Sequence, residues 1–184
     1  MNYTLRQTST EDAESLHTMY LDVAKYKLGI ARYEKEINLG YIQNIIAENQ
    51  NGGLGFIILS NDQIIGEIHA HKYGIQIFDH ILSNLTIAVH PDFQGKGIGK
   101  RLFAHFLEYI TVNRPDIWRV ELESRANNSR SRGLYESLGF IEEGVMKHKT
   151  RNFGGDFEDS VAYAWFNENY STQAQPGFTQ EEIY

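Results

Sequence analysis

Residues 94–101 read Gln94-Gly95-Lys96-Gly97-Ile98-Gly99-Lys100-Arg101, with glycine at every second position from 95 to 99. At a helix start, such a segment leaves backbone N–H groups free at the positive end of the helix dipole, and glycine lets an anion approach that backbone closely. Lys96, Lys100 and Arg101 add charge of the matching sign. The chemistry on offer is phosphate binding. Two common phosphate loops do not fit the spacing. A P-loop requires Ser or Thr after Gly99-Lys100 and glycine at 94, where the chain has Arg101 and Gln94; a G-x-G-x-x-G dinucleotide turn begun at Gly95 ends on Lys100. For proton transfer, Glu67 alternates with His69 and His71 along one strand face, and Glu121 with Glu123 along another. Two histidines at i, i+2 can hold a metal, but no third ligand is apparent and none is expected. The expectation for His69 and His71 is a partly exposed strand face.

The elements that must position these groups follow from hydrophobic periodicity. Ser9-Thr10-Glu11-Asp12 resembles a helix start, and Ala13, Leu16, Met19, Tyr20 and Val23 recur at helical spacing after it. A second helix is predicted over residues 34–48, with Ile37, Tyr41, Ile45 and Ile46 inward. Residues 54–59 and 64–72 read as a hairpin, and 82–89 as a third strand. Pro91 and the glycines break that strand. Ile98, Leu102, Phe103, Phe106 and Ile110 then mark a helix that ends near Arg114-Pro115. Alternation of Val120 and Leu122 with Arg119, Glu121 and Glu123 predicts a strand returning beside the previous one. Asn128 caps a predicted helix over 129–138, Gly139 stops it, and strands over 140–146 and 157–166 follow. The fold class expected is α/β, a mixed, mostly antiparallel central sheet with helices on both faces. One domain is placed over residues 1–170, leaving a polar tail over 171–184.

Composition limits what this domain can do. The 184 residues carry a net charge of −7, 41% hydrophobic residues and no cysteine. That balance is typical of a globular domain, and the missing cysteines exclude thiol catalysis, cysteine zinc sites and disulfides. The first 16 residues carry Arg6, Glu11, Asp12 and Glu14 where a signal peptide needs an apolar run, and nothing approaches the roughly 20 apolar residues of a membrane span. A cytoplasmic protein with no membrane partner is the expectation. Residues 94–151 hold 11 Lys and Arg against 7 Asp and Glu, while the remainder holds 6 against 17. A basic centre in an acidic chain points to a local anion site; a nucleic acid partner, which needs many phosphate contacts, is not expected.

Gln94-x-x-Gly97-x-Gly99, following the strand end Ile87-Ala88-Val89-His90-Pro91, resembles the (Q/R)-x-x-G-x-(G/A) loop of the GCN5-related N-acetyltransferase (GNAT) superfamily. Asn128 followed by Leu134-Tyr135-Glu136-Ser137-Leu138-Gly139-Phe140 is similar to that family's second signature. The resemblance implies acetyl-CoA as cosubstrate and acetyl transfer to an amine by direct attack on the thioester. By that similarity, backbone amides from Gly95 through Lys96, Gly97, Ile98 and Gly99 to Lys100 hold the pyrophosphate, with Gln94 opening the loop. Backbone groups of Ile87 and Val89, in a strand splayed from its neighbour, pair with the pantetheine arm, and Asn128 lines its slot. Tyr135 protonates the departing thiolate, a plausible transfer because the reference pKa values are about 10 and 8.5.

The family pattern gives out at the base and the acceptor. Many relatives carry a glutamate on the strand entering the glycine loop, whereas Leu82-Ser83-Asn84-Leu85-Thr86 has no carboxylate. Glu67 and Glu123 rank first among groups able to take the proton through water. The acidic balance outside 94–151 favours a small cationic amine as acceptor; the alternatives are a protein N-terminus, or a non-catalytic acyl-CoA sensor without turnover. Tyr26, Tyr33, Tyr73 and the glycine-hinged loop around Asp156 are expected to flank the acceptor. A homodimer is possible through the late strands or the tail.

Overall fold

The computed structural model describes residues 3–26, 29–152 and 154–172. Most of the tail, residues 173–184, lies outside them, as does Phe153 of the Asp156 loop. Seven strands form one sheet: β1 (Tyr3–Gln7), β2 (Leu54–Ser60), β3 (Gln63–His71), β4 (Ile81–Val89), β5 (Arg119–Arg125), β6 (Ile141–Arg151) and β7 (Phe157–Phe166), in the spatial order β1-β2-β3-β4-β5-β7-β6. Every neighbouring pair is antiparallel except β4 with β5. The mixed, mostly antiparallel sheet follows the expectation.

Four helices cover it: α1 (Ala13–Ala24), α2 (Leu39–Gln50), α3 (Ile98–Asn113) and α4 (Ser129–Ser137). Alternation along β2 sends Ile57 into the cluster under α1 and α2, and Phe56 and Ile58 into the cluster under α3 and α4. A β-bulge opposite Ile58 and Leu59 changes the parity of β3. Ile65 and Ile68 therefore both pack under α3, whereas Ile64 and Glu67 lie on the α1 face. Gly66 sits in this irregularity because a Cβ there would lie 3.1 Å from Ile58 Cγ2 and 3.2 Å from the Ala88 carbonyl oxygen.

One reading requires correction, and one strand is additional to those expected. α2 begins at Leu39, later than predicted, because Asn38 caps it with a side-chain oxygen that accepts from the Tyr41 amide; a 3₁₀ turn occupies Glu34–Glu36, and Ile37 is buried outside the helix. β1 is too short to announce itself, with only Tyr3 and Leu5 turned to the core between the exposed Thr4 and Arg6, and the outer edge of β2 offers Tyr3 to Gln7 its ladder. The hairpin turn is as predicted: Asn61 and Asp62 both take positive φ, the geometry that suits a two-residue turn between twisted strands.

The join between β1 and α1 is tied by one buried carboxylate. Asp12 accepts from Arg6 Nη1 at 2.7 Å and Nη2 at 2.6 Å, and from the Ser9 amide at 2.8 Å. Burial pushes this carboxyl up, but the Arg6 and Ser9 hydrogen bonds outweigh it and hold the group below its usual value. Asp12→Ala is expected to cost about 1–2 kcal/mol in thermal or urea unfolding. A depressed carboxyl stabilises above its unfolded pKa and loses that contribution as pH falls through the folded value. The stability gap between wild type and Asp12→Asn should therefore be full at about pH 6 and shrink below about pH 4.

Candidate active site

β4 and β5 begin side by side and then part. They pair only through Ile81 with Arg119 and Leu82 with Val120, although β5 remains paired with β7 along its full length. The divergence begins at a bulge in β4: His69 faces Thr86 but His71 faces Ser83, and Asn84 between them holds φ +54°. Asparagine tolerates that left-handed conformation better than most residues. Beyond the bulge, one edge of β4 has lost its neighbour. The His90 amide donates to Ile65 of β3 at 2.9 Å, so, by backbone alternation, the N–H and C=O groups of Ile87 and Val89 point to the vacated edge.

The gap opens into a groove of about 410 Å³ at the start of α3, lined by Ile87, Val89, Gln94, Gly95, Gly97, Ile98, Gly99 and Lys100 with Asn128, Arg130 and Leu134 of the α4 segment. Gly97 is the N-cap of α3 and takes φ +78°; having no side chain, it leaves the first-turn amides to other acceptors. A Cβ at Gly95 or Gly97 would meet no protein atom within 4 Å, while one at Gly99 would lie 3.6 Å from Val89. This is a cradle that a side chain would fill, and it fits a pyrophosphate. Gln94 braces it by donating from Nε2 to the Val89 carbonyl at 3.0 Å. Lys96 does not line the groove; its ammonium lies over the Phe93 ring at 5.1 Å. Arg130 does line it. Sequence reasoning passed over this residue because it occupies an unspecified position of the second signature.

A slot of about 260 Å³ continues from the groove between the parted strands. It shares Ile87, Asn128 and Ser131 with the groove, and is walled by Ser124 and Tyr135. Asn128 caps α4 by accepting from the Ser131 amide at 3.2 Å, so its capping and slot-lining roles coexist. Tyr135 is 8% exposed and packs against Phe103, Phe140 and Tyr163. Burial raises its hydroxyl above the usual value, with a Ser131 hydrogen bond opposing, so the group carries a proton at neutral pH and can donate it.

The slot ends in a pocket of about 630 Å³ that shares Arg32, Leu85, Thr86 and Glu123 with it. Glu123 thus stands at the junction, half-exposed, with Lys149 Nζ 3.8 Å away. Glu67 does not line the pocket. It is fully buried behind it, accepting from Tyr20 at 2.6 Å and from His69 Nδ1 at 3.0 Å. The histidines are not an exposed face: His69 is 3% exposed, and its ring stacks on His71 at 4.9 Å, both lining the pocket. Helices cover both faces of β3, α1 and α2 on the side of this polar row and α3 on the other, so neither row of its side chains forms an exposed face. Tyr73 lines the pocket and donates to Glu121, which Arg119 also holds at 2.9 Å. Tyr26 lines the glycine groove instead, and Tyr33 and Asp156 line neither cavity. Among the described residues, no cluster of three or more His, Cys, Asp or Glu could hold a metal, and no helix is long and apolar enough to cross a membrane.

Burial, with His69 alongside, pushes the His71 imidazole down to about 4. A ¹⁵N NMR titration should place His71 near that value, well below the ordinary histidine value of about 6.5. The unfolded chain takes up this proton near 6.5 and the folded chain only near 4, so acidification through that window favours unfolding. His71→Gln is expected to remove that part of the acid sensitivity.

A family profile for the acetyltransferase (GNAT) domain matches residues 43–142. A [ribosomal protein bS18]-alanine N-acetyltransferase of Salmonella typhimurium is 41% identical over 79 residues, 43% of this chain and 51% of that protein. An N-alpha-acetyltransferase RimI of Mycobacterium tuberculosis is 38% identical over 71 residues, 39% of this chain and 42% of that one. The chain thus spans about half the length of the curated relatives it matches. The structure of yncA from Salmonella typhimurium with its cofactor acetyl-CoA superposes with a TM-score of 0.78 at 18% identity, covering 96% of this chain and 99% of that one, and shares its fold. With more than half of its length matched, and the glycine turn and parted strands in place, the chain belongs to the GNAT acetyltransferase family.

Proposed function

We propose that this chain is an acetyl-CoA-dependent N-acetyltransferase that acetylates the α-amino group at the N-terminus of a protein. The observation that carries the reading is the continuous cleft from the glycine turn, past Tyr135, to a pocket entered at Glu123. Acetyl-CoA supplies an activated acetyl thioester. The amides from Gly95 to Lys100, with Lys100 and Arg130 beside them, bind its phosphates, and the free edge of β4 at Ile87 and Val89 pairs with its arm. An N–H on that edge also suits the oxygen that gains charge during transfer. Glu123 takes the proton from the amine as the N–C bond forms, and Tyr135 gives its proton to the sulfur as the C–S bond breaks.

The relatives' names favour a protein N-terminus over the small cationic amine suggested by composition, and two features of the site agree. The pocket holds Arg32 and Arg119 as well as Glu121 and Glu123, so the chain's acidity is not gathered there as a trap for cations. An α-amine has a reference pKa of about 7.7–8.0, so about one molecule in seven is already neutral at pH 7, against about one in a few thousand for a lysine-like amine. A half-exposed glutamate reaching through water suffices for the first case. Glu123 then stands in for the carboxylate missing from β4.

Three measurements test the reading. Thiol release from acetyl-CoA should depend on peptides with a free N-terminus and vanish when that terminus is blocked; release driven only by polyamines or aminoglycosides would refute the N-terminal assignment. Tyr135→Phe and Glu123→Gln should each lower kcat by about 10²-fold while acetyl-CoA affinity stays near wild type. Gly99→Ala should fold normally, since its Cβ meets Val89 at ordinary contact distance. Calorimetry should nevertheless show CoA binding weakened about tenfold by a methyl in the cradle.

A further inference from the structure

Beyond Glu123, the pocket wall is built from β3. Alternation brings Glu67, His69 and His71 to one face, and the nitrogens of the two imidazoles are unequally used. His69 Nδ1 is engaged by the Glu67 carboxylate, so in the neutral ring the lone pair lies on Nε2. His71 Nε2 is buried and has no hydrogen-bond partner. Such an atom is costly to leave unpaired, and native structures keep few of them without a ligand or water to take the bond. The stacking of the two rings, 16° from parallel, fixes both nitrogens in place, and Tyr20 secures the carboxylate behind them. Leu85, Met146 and Ala162 supply apolar surface in the same pocket.

We propose that His69 and His71 form a specificity site that reads the side chain of the acceptor's first residue and favours a hydroxyl-bearing one over its aliphatic isostere. This rests on the N-terminal acetyltransferase reading and goes further, because the name of the Salmonella typhimurium relative specifies alanine, whose methyl would leave the buried nitrogen unpaired. A threonine or serine hydroxyl can donate to the lone pair on His69 Nε2 and take up the capacity of His71 Nε2. The His71 imidazole attracts it without charge, since burial keeps that ring neutral at physiological pH.

The test compares two peptides identical except for Thr or Val at position one. Wild type should favour Thr by about tenfold in kcat/KM, the scale of one hydrogen bond to a buried partner. His71→Phe keeps the stacked ring and removes its nitrogens, so the ratio should fall several-fold, with only His69 Nε2 left to hold the hydroxyl; His71→Gln restores an amide and should recover part of the loss. If His71→Phe fails to fold, as judged by thermal unfolding, His71→Gln and His71→Leu carry the comparison. A wild-type ratio near one, or a ratio unchanged in the variants, overturns the proposal. If wild type acetylates no peptide, the proposed function fails. The histidine site is then judged by ¹⁵N NMR of the imidazoles in the CoA-saturated protein: a shift at His71 with threonine amide but not valine amide upholds it, and equal responses overturn it.

Discussion

The loss of pairing between β4 and β5 after Leu82 and Val120 is the constraint on which the rest of the site depends. A parallel pair that stayed zipped would fill its own hydrogen bonds and leave no opening. Here β4 is turned by a bulge at Asn84, while β5 is held to β7 from Arg119 to Arg125 and cannot follow. The backbone groups of Ile87 and the Val89 N–H are thereby held on a rigid element with no strand beside them, the Val89 carbonyl being taken by Gln94. Three cavities adjoin along this opening and share wall residues from one to the next.

The same bookkeeping of polar groups explains both ends of the cleft. At the glycine turn, Gly97 withholds the side chain that would ordinarily cap α3, so the amides are left for an anion. At the other end, the fully buried Glu67 is acceptable because Tyr20 and His69 both donate to it. That network fixes the tautomer of His69 and sets His71 beside it. Tyr135 is protonated at neutral pH in any case, and burial of its ring raises the hydroxyl further while Ser131 opposes that shift.

What was legible in the sequence was local. Helical spacing of Ile98, Leu102, Phe103, Phe106 and Ile110, alternation in β5 and the glycine turn each follow from a few adjacent residues, and the structure places them as read. β1 was missed because its pairing is dictated by the free edge of β2. The start of α2 shifted because an asparagine cap outweighs a longer apolar pattern. His69 and His71 were misplaced on an exposed face because β3 is covered by helices on both sides, and only packing reveals this. Glu67 illustrates the same limit: its strand face was correct, but its burial behind His69 depends on α1, more than 40 residues away. Asn84 could have drawn notice as an asparagine in a strand of otherwise good β-formers.

The most direct test of a single cleft is a crystal structure of the chain with a bisubstrate analogue in which CoA is joined through an acetyl bridge to the N-terminal amine of a peptide. The account predicts phosphates on the amides from Gly95 to Lys100, the arm against Ile87 and Val89 between the parted strands, the amine beside Glu123, and the first side chain towards His71. An arm lying outside that gap, or a peptide seated on the separate groove at Trp118 and Tyr170, would contradict it.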